Sequence, residues 1–167
     1  MEKAKFFCGI IINPSIEMDV LTEELSLLYG EVDYIGGPLD FSYTSYYEEE
    51  FGQNLRRYFI SFENLIHPGK LAEIKRETIS LEKKFSQKGK RQVNIDPGYM
   101  EPSKLVLAST KNFSHRIYIG QGIYAEITLL WRKGKFRDLE WTFPDYRSIE
   151  YKLILDKIRE LYMNSRR

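Results

Sequence analysis

Most of the side chains with which this sequence could do chemistry lie between Asn94 and Arg147. Asp96 and Glu126 are carboxylates suited to general acid–base work or to holding a divalent metal. His115 is a candidate catalytic base at the start of an apolar segment. Lys111 and Arg116, close to it in sequence, are of the types that grip phosphate or carboxylate. Asn94, Tyr99, Tyr124, Asp145 and Arg147 complete the candidate ligand-binding set. Two readings stand side by side. In one, Asp96, His115 and Glu126 are catalytic, with Asp96 and Glu126 as metal ligands. In the other, the same groups decorate a solvated sheet face whose ion pairs contribute little.

Spacing points to how these groups are mounted. The segments His115–Ile119 and Tyr124–Arg132 flank Gly120-Gln121-Gly122. A hairpin closed by this three-residue loop pairs Ile119 with Ile123, Ile117 with Ala125 and Arg116 with Glu126, and sets Tyr118 against Tyr124. Ile117, Ile119, Ile123, Ala125 and Ile127 then share one face, and Arg116, Tyr118, Tyr124, Glu126 and Thr128 the other. A slip of one residue would scramble both faces. In the earlier segment Arg91–Tyr99, Asn94 and Asp96 alternate with Val93 and Ile95, and Asp96-Pro97-Gly98-Tyr99 reads as a sharp turn at the strand's end.

The elements that must carry these groups follow from periodicity. Lys5–Ile12 reads as a buried strand. Asn13-Pro14 then opens a helix to about Tyr29 that buries Val20, Leu21, Leu25 and Leu28, with Gly30 as a left-handed stop. Val32–Ile35 is a short strand broken by Gly36-Gly37-Pro38. Asp40–Gly52 reads as a loop and a short helix with Ser45 as its cap, where Glu48-Glu49-Glu50 forms an acidic first turn or a cation site. Leu55–Phe62 returns to strand. A helix opened by His67-Pro68-Gly69 carries the stripe Leu71, Ile74, Thr78, Leu81 and Phe85. Gln87–Lys90 is a turn, Leu105–Ser109 a short helical or extended piece, and Phe136–Trp141 a strand across the Lys133-Gly134 turn. A last helix over Tyr146–Met163, capped by Asp145, buries Tyr151, Ile154, Leu155, Ile158 and Leu161. Arg56-Arg57 and Lys88–Arg91 read as solvated charge. The order predicts an α+β fold, a mixed and mostly antiparallel sheet with ferredoxin-like βαβ-βαβ order, then C-terminal hairpins and a C-terminal helix, all in a single domain over residues 1–167.

Composition excludes several classes. The chain has 167 residues, 43% hydrophobic and 14% aromatic, which rules out a disordered tail or a fibre. Lys+Arg 25 against Asp+Glu 24 leaves a net charge of +1, too little to draw in nucleic acid or an anionic membrane. The single cysteine, Cys8, sits in an apolar run and cannot build a disulfide framework or a thiolate zinc site. No stretch is long and apolar enough to span a membrane, so the expected location is cytoplasmic. GxxxxGK[ST], GxGxxG after a strand, HExxH and GxSxG are all absent.

Several motifs, in order along nearly the whole chain, carry a resemblance. They are Tyr46-Tyr47-Glu48 with Gly52; Asn94-Ile95-Asp96-Pro97-Gly98-Tyr99; Lys111 with Ser114-His115-Arg116; Gly122-Ile123-Tyr124-Ala125-Glu126; and Trp141-Thr142 with Pro144-Asp145-Tyr146. In these the sequence resembles the prokaryotic family called Domain of Unknown Function forty-four-sixteen. The resemblance implies a small stand-alone protein and supplies no catalytic residues. Some members carry an automatic GTP-binding label, and the phosphate loop and NKxD motif of such proteins are not in this sequence. The residues themselves lead to the expectation of a cytoplasmic enzyme acting on a phosphate-bearing small molecule or nucleotide, with a divalent cation as candidate cofactor. The alternative is a non-catalytic module that binds a ligand, RNA or protein.

Overall fold

Strand β1 (Ala4–Ile12) is buried along its whole length, as its unalternating apolar run requires. It forms the axis of the first half of the fold in the computed structural model, which describes residues 2–42 and 46–166. Around it the chain runs through helix α1 (Met18–Tyr29), β2 (Val32–Asp40), the short helix α2 (Glu48–Phe51), β3 (Arg56–Ile66), α3 (Leu71–Lys84) and β4 (Val93–Glu101). The second half adds β5 (Lys104–Ser109), β6 (Arg116–Gly120), β7 (Ile123–Arg132), β8 (Lys135–Asp138) and α4 (Ile149–Ser165). The eight strands form one sheet in the order β2-β3-β1-β4-β5-β7-β6, with β8 on β7. The α+β class, the mostly antiparallel sheet and the C-terminal helix are as expected, and each pairing described is antiparallel.

Alternation along β1 sorts the two faces. Phe6, Cys8, Ile10 and Ile12 pack with Leu21 and Leu25 of α1 and Ile74 and Leu81 of α3. Phe7 faces the other way and packs with Phe59, Tyr151, Leu155, Ile158 and Tyr162, the last four-residue stripe belonging to α4. The two early helices therefore cover one face and the last helix the other.

Several local expectations change. Helix α1 begins at Met18, because Asn13 uses its side chain to accept from the Ser15 N–H and to donate to the Phe51 carbonyl. Its Val20 and Leu28 are half exposed, and only Leu21 and Leu25 are buried in it. Gly36-Gly37-Pro38 does not end β2; the strand continues to Asp40 with a register shift between Gly36 and Leu39. Lys104–Ser109 is extended. β8 stops at Asp138, where Thr142 Oγ1 accepts from the Leu139 N–H at 2.8 Å. Helix α4 starts later than expected and is capped by Ser148, whose side chain accepts from the Tyr151 N–H, and it buries Tyr162 rather than Leu161. The cap expected at Ser45 lies outside the described residues.

The hairpin between β6 and β7 keeps the expected pairs Arg116–Glu126, Ile117–Ala125 and Tyr118–Tyr124. Its tip differs. Gly120, not Ile119, faces Ile123, and Gln121 and Gly122 both have positive φ, 54° and 75°. That is the geometry of a two-residue type I′ turn, whose twist matches the strands, with Ile119 left over as a bulge. The apolar face of this hairpin is only partly covered: Ile123 is buried against Leu71 and Ala72 of α3, whereas Ile117 is 72% exposed.

Candidate functional site

The site is set by where two strands part. β4 and β5 pair only from Glu101–Lys104 to Gly98–Leu107. Beyond Gly98, residues Val93–Pro97 stay with β1, while Ala108 and Ser109 continue along β7. Asp96-Pro97-Gly98 is thus a straight run of strand and not the expected turn. Pro97, which has no N–H for a ladder, stands just before the pairing with β5 begins. Gly98 marks the last close approach: a Cβ there would lie 2.4 Å from the Val106 carbonyl oxygen.

The gap opens a cavity of about 590 Å³, within the range typical of small-molecule sites. One wall carries Asn94 and Asp96 from β4, and another Ser109, Thr110 and Lys111 after β5, with Arg116 and Glu126 beside them. Helix α3 contributes Lys75, Ile79 and Glu82; Phe41, Tyr46 and Tyr47 come from the connection after β2, and Phe143, Asp145 and Tyr146 from the segment before α4. Arg57 of β3 lies beneath. Of the residues singled out in the sequence, Asn94, Asp96, Lys111, Arg116, Glu126 and Asp145 line this cavity.

Four do not. His115 stands behind Glu126, its Nε2 2.8 Å from Glu126 Oε1, with its ring stacked between Phe113 and Trp141. Tyr99 points to the opposite face and packs with Val106 and the α3 residues Leu71 and Ala72. Tyr124 shares a face with Glu126 but packs on Tyr118, ring centroids 5.3 Å apart. Arg147 is exposed and straps the preceding loop by donating to the carbonyls of Thr142, Leu139 and Glu140. Alternation accounts for Tyr99, which is three residues from Asp96 and hence on the other side of the strand.

Glu126 is buried and fully engaged. Oε1 accepts from Arg116 Nε at 3.1 Å and faces His115, and Oε2 accepts from Thr128 Oγ1 at 2.9 Å. Arg116 also donates from Nη1 to Ser109 Oγ at 3.2 Å and to the Lys111 carbonyl at 3.0 Å. The Arg116–Glu126 pair therefore orders the Ser109–Lys111 wall. Asp96 stands among cations: Arg57 Nη1 is 3.6 Å from Oδ2 and Lys75 Nζ 3.9 Å from Oδ1, while Asn94 Nδ2 donates to Oδ2 at 3.0 Å. Glu126 has both oxygens committed to donors, and no group of three or more His, Cys, Asp or Glu gathers to hold a metal among the described residues.

The residues the sequence reading missed are charged groups paired across distant segments. Arg57, read as solvated charge, is 2% exposed. Its Nε donates to Tyr151 Oη at 2.8 Å and its Nη2 to Asp145 Oδ2 at 3.3 Å, and the guanidinium lies over Phe41, Phe59 and Tyr151. Burial raises the Asp145 carboxyl above its ordinary value, against the pull of Arg57. Arg91, also read as solvated, grips Glu50 in a two-pronged pair at 2.8 and 3.0 Å and reaches buried Glu82 at 3.2 Å. Glu82 accepts from the Ile95 N–H at 2.6 Å, and burial raises its carboxyl too. Glu50, held down by Arg91, explains the acidic run as the first turn of α2 with one member tied to the cavity wall. A signal was present: Arg57 shares a strand face with Phe59 and Ser61, and Lys75 and Glu82 fall on the apolar stripe of α3 at helical spacing.

Polar groups of both signs thus meet around one concave space, which can bind a polar small molecule and exchange protons with it. Searches of curated proteins and of solved structures find no match. A family model matches residues 2–162, and the chain belongs to the family it describes, Domain of unknown function (DUF4416).

Proposed function

We propose that the protein is an enzyme acting on a phosphate-bearing small molecule or nucleotide held in the cavity between β4 and β5. The observation that carries this reading is the convergence of Asp96, Arg116 and Glu126 on one concave space with Lys111 and the buried Arg57. In this reading Lys111 and Arg116 grip phosphate, and Asp96 exchanges protons with the substrate. Asp145, its carboxyl raised by burial, is the second acid–base candidate. Glu126 and His115 are positioning residues that hold Arg116. The supporting test is a thermal-shift screen with nucleotides, sugar phosphates and divalent metals. A ligand at about 100 times its Kd adds about 2.7 kcal/mol to the native state. A screen in which none of these raises the melting temperature overturns the reading.

The second reading, a non-catalytic ligand-, RNA- or protein-binding module, draws on the exposed aromatics Tyr46, Phe113 and Phe143 at the cavity mouth. It predicts binding without turnover of any phosphate compound the screen returns. A ferredoxin-like assignment for the first half is part of the proposal, supported by β3 lying between β1 and β2 and β1 between β3 and β4. So is a cytoplasmic location, supported by the chain's single cysteine being buried and unpaired, with no helix among the described residues long and apolar enough to cross a membrane.

A further inference from the structure

We propose that the cavity floor is a seat for a hydroxyl group of the ligand, with Arg57 and Tyr146 as its hydrogen-bond donors and Asp96 as its acceptor. This rests on the small-molecule reading above and narrows it to a phosphorylated sugar or polyol. Arg57 uses Nε and Nη2 on Tyr151 and Asp145, and its Nη1 has no hydrogen-bond partner among the described residues. The Tyr146 hydroxyl has none either. Both side chains are buried, at 2% and 3% exposure, and both line the cavity. Leaving a buried donor without an acceptor costs about 1–3 kcal/mol.

These two donors reach the same small space. A Cβ on Gly9 would lie 3.0 Å from Arg57 Nη1 and 3.2 Å from the Tyr146 hydroxyl oxygen. Glycine at this position of β1, in an otherwise apolar run, spares the two donors a Cβ that would crowd them.

Local charge selects the kind of oxygen. Asp145 lies 3.3 Å from Arg57 Nη2, Asp96 3.6 Å from Nη1, and Lys75 3.9 Å from Asp96. Two cations face two carboxylates, so the floor has no surplus positive charge for a phosphate, and the carboxylates repel one. A hydroxyl fits all three groups: it accepts from Arg57 and Tyr146 and donates to Asp96, which a carbonyl cannot do. The phosphate then belongs at the other wall, with Lys111 and Arg116.

Calorimetric titration of the full chain with ribose 5-phosphate, ribose and inorganic phosphate tests this. The wild-type chain binds ribose 5-phosphate at least about tenfold more tightly than inorganic phosphate, the worth of about 1.4 kcal/mol. Tyr146→Phe abolishes that advantage and leaves the affinity for inorganic phosphate unchanged. Lys111→Ala weakens both phosphate probes and spares ribose. Gly9→Ala reproduces Tyr146→Phe if it folds; Tyr146→Phe, which removes one unpartnered oxygen, decides the matter if it does not. An undiminished advantage in Tyr146→Phe means that the seat holds only water, and overturns the proposal. Binding of inorganic phosphate with no gain from the sugar overturns the seat and leaves the phosphate reading standing. When neither phosphate probe binds, the phosphate reading fails. The seat then survives only if ribose binds the wild type and not Tyr146→Phe.

Discussion

Two cationic clusters are buried on the same face of the sheet, and they are finished differently. At one end of β1, Lys5 donates to Asp33 and to the Phe62 carbonyl at 2.7 Å, and Ser61 donates to Asp33. Toward its other end, Arg57 and Tyr146 meet Asp96 and Asp145 over Gly9, and two donors are left over. Strand, burial and charge are alike; the difference is satisfaction. The Lys5 cluster is closed on itself and needs nothing from outside. The Arg57 cluster opens into a cavity and lacks an acceptor. Of the two buried charge clusters, the unsatisfied one is the one that lines the cavity of the proposed function.

The comparison can be broken by mutation. The largest expected effect is Lys5→Met, which strands Asp33 and costs about 3–5 kcal/mol in denaturant unfolding. A cost under about 1 kcal/mol would mean that the Lys5 cluster is not the structural tie described here. Glu126→Ala strands Arg116 in the second half-sheet, and the expected cost is of the same order, about 3–5 kcal/mol. A double-mutant cycle with Arg116→Ala measures the coupling, and a value near zero would remove Arg116–Glu126 from the site's framework.

Next in size, Tyr151→Phe takes the acceptor from Arg57 Nε and costs about 1.5–3 kcal/mol, as for a hydrogen bond to a charged group. Tyr146→Phe, an equally buried change of the same chemistry, is expected to cost less than about 0.5 kcal/mol or to stabilise, because its hydroxyl has no partner. Equal losses for the two tyrosines would erase the distinction between the satisfied and unsatisfied groups.

The smallest effect is in pH dependence. Burial raises the folded-state value of Asp145 above its ordinary 3.8. The stability this confers is present below that ordinary value and is lost as pH rises through the raised one. Relative to the wild type, Asp145→Asn therefore gains stability as pH rises from the ordinary carboxylate range upward. An unchanged difference across that range would show that Asp145 ionises as it does in the unfolded chain.

Local pattern was enough for much of the scaffold. The β1 run, the α3 stripe and the Lys133-Gly134 turn follow from period and turn chemistry within short windows, whereas the expected Arg116–Glu126 pairing holds across a shorter turn because the bulge at Ile119 restores the register. Asn94 and Asp96 fall on one strand face because alternation is a property of the strand itself. The same local logic failed at Asp96-Pro97-Gly98. These are turn formers, yet here they lie in the strand where β4 leaves β5, and a partner's departure is not encoded in neighbouring residues. It failed again at Arg57, whose charge is tolerated in the interior because Asp145 arrives from a distant segment, and at the partly exposed Arg91, whose partners Glu50 and Glu82 come from other elements.

By itself, then, the sequence determined the α+β class, most of the strands and helices, and which side chains of the second-half hairpin share a face. Each of these depends on a period of two or 3.6 residues along the chain. Only the tertiary structure decided that Asp96, Glu126 and Asp145 line one cavity, that His115 stands behind it, and that Arg57 is its floor. Those relations depend on contacts between residues up to 94 positions apart, such as Arg57 with Tyr151. A buried charge is recognisable as such only once the groups that neutralise it, or fail to, have been brought alongside.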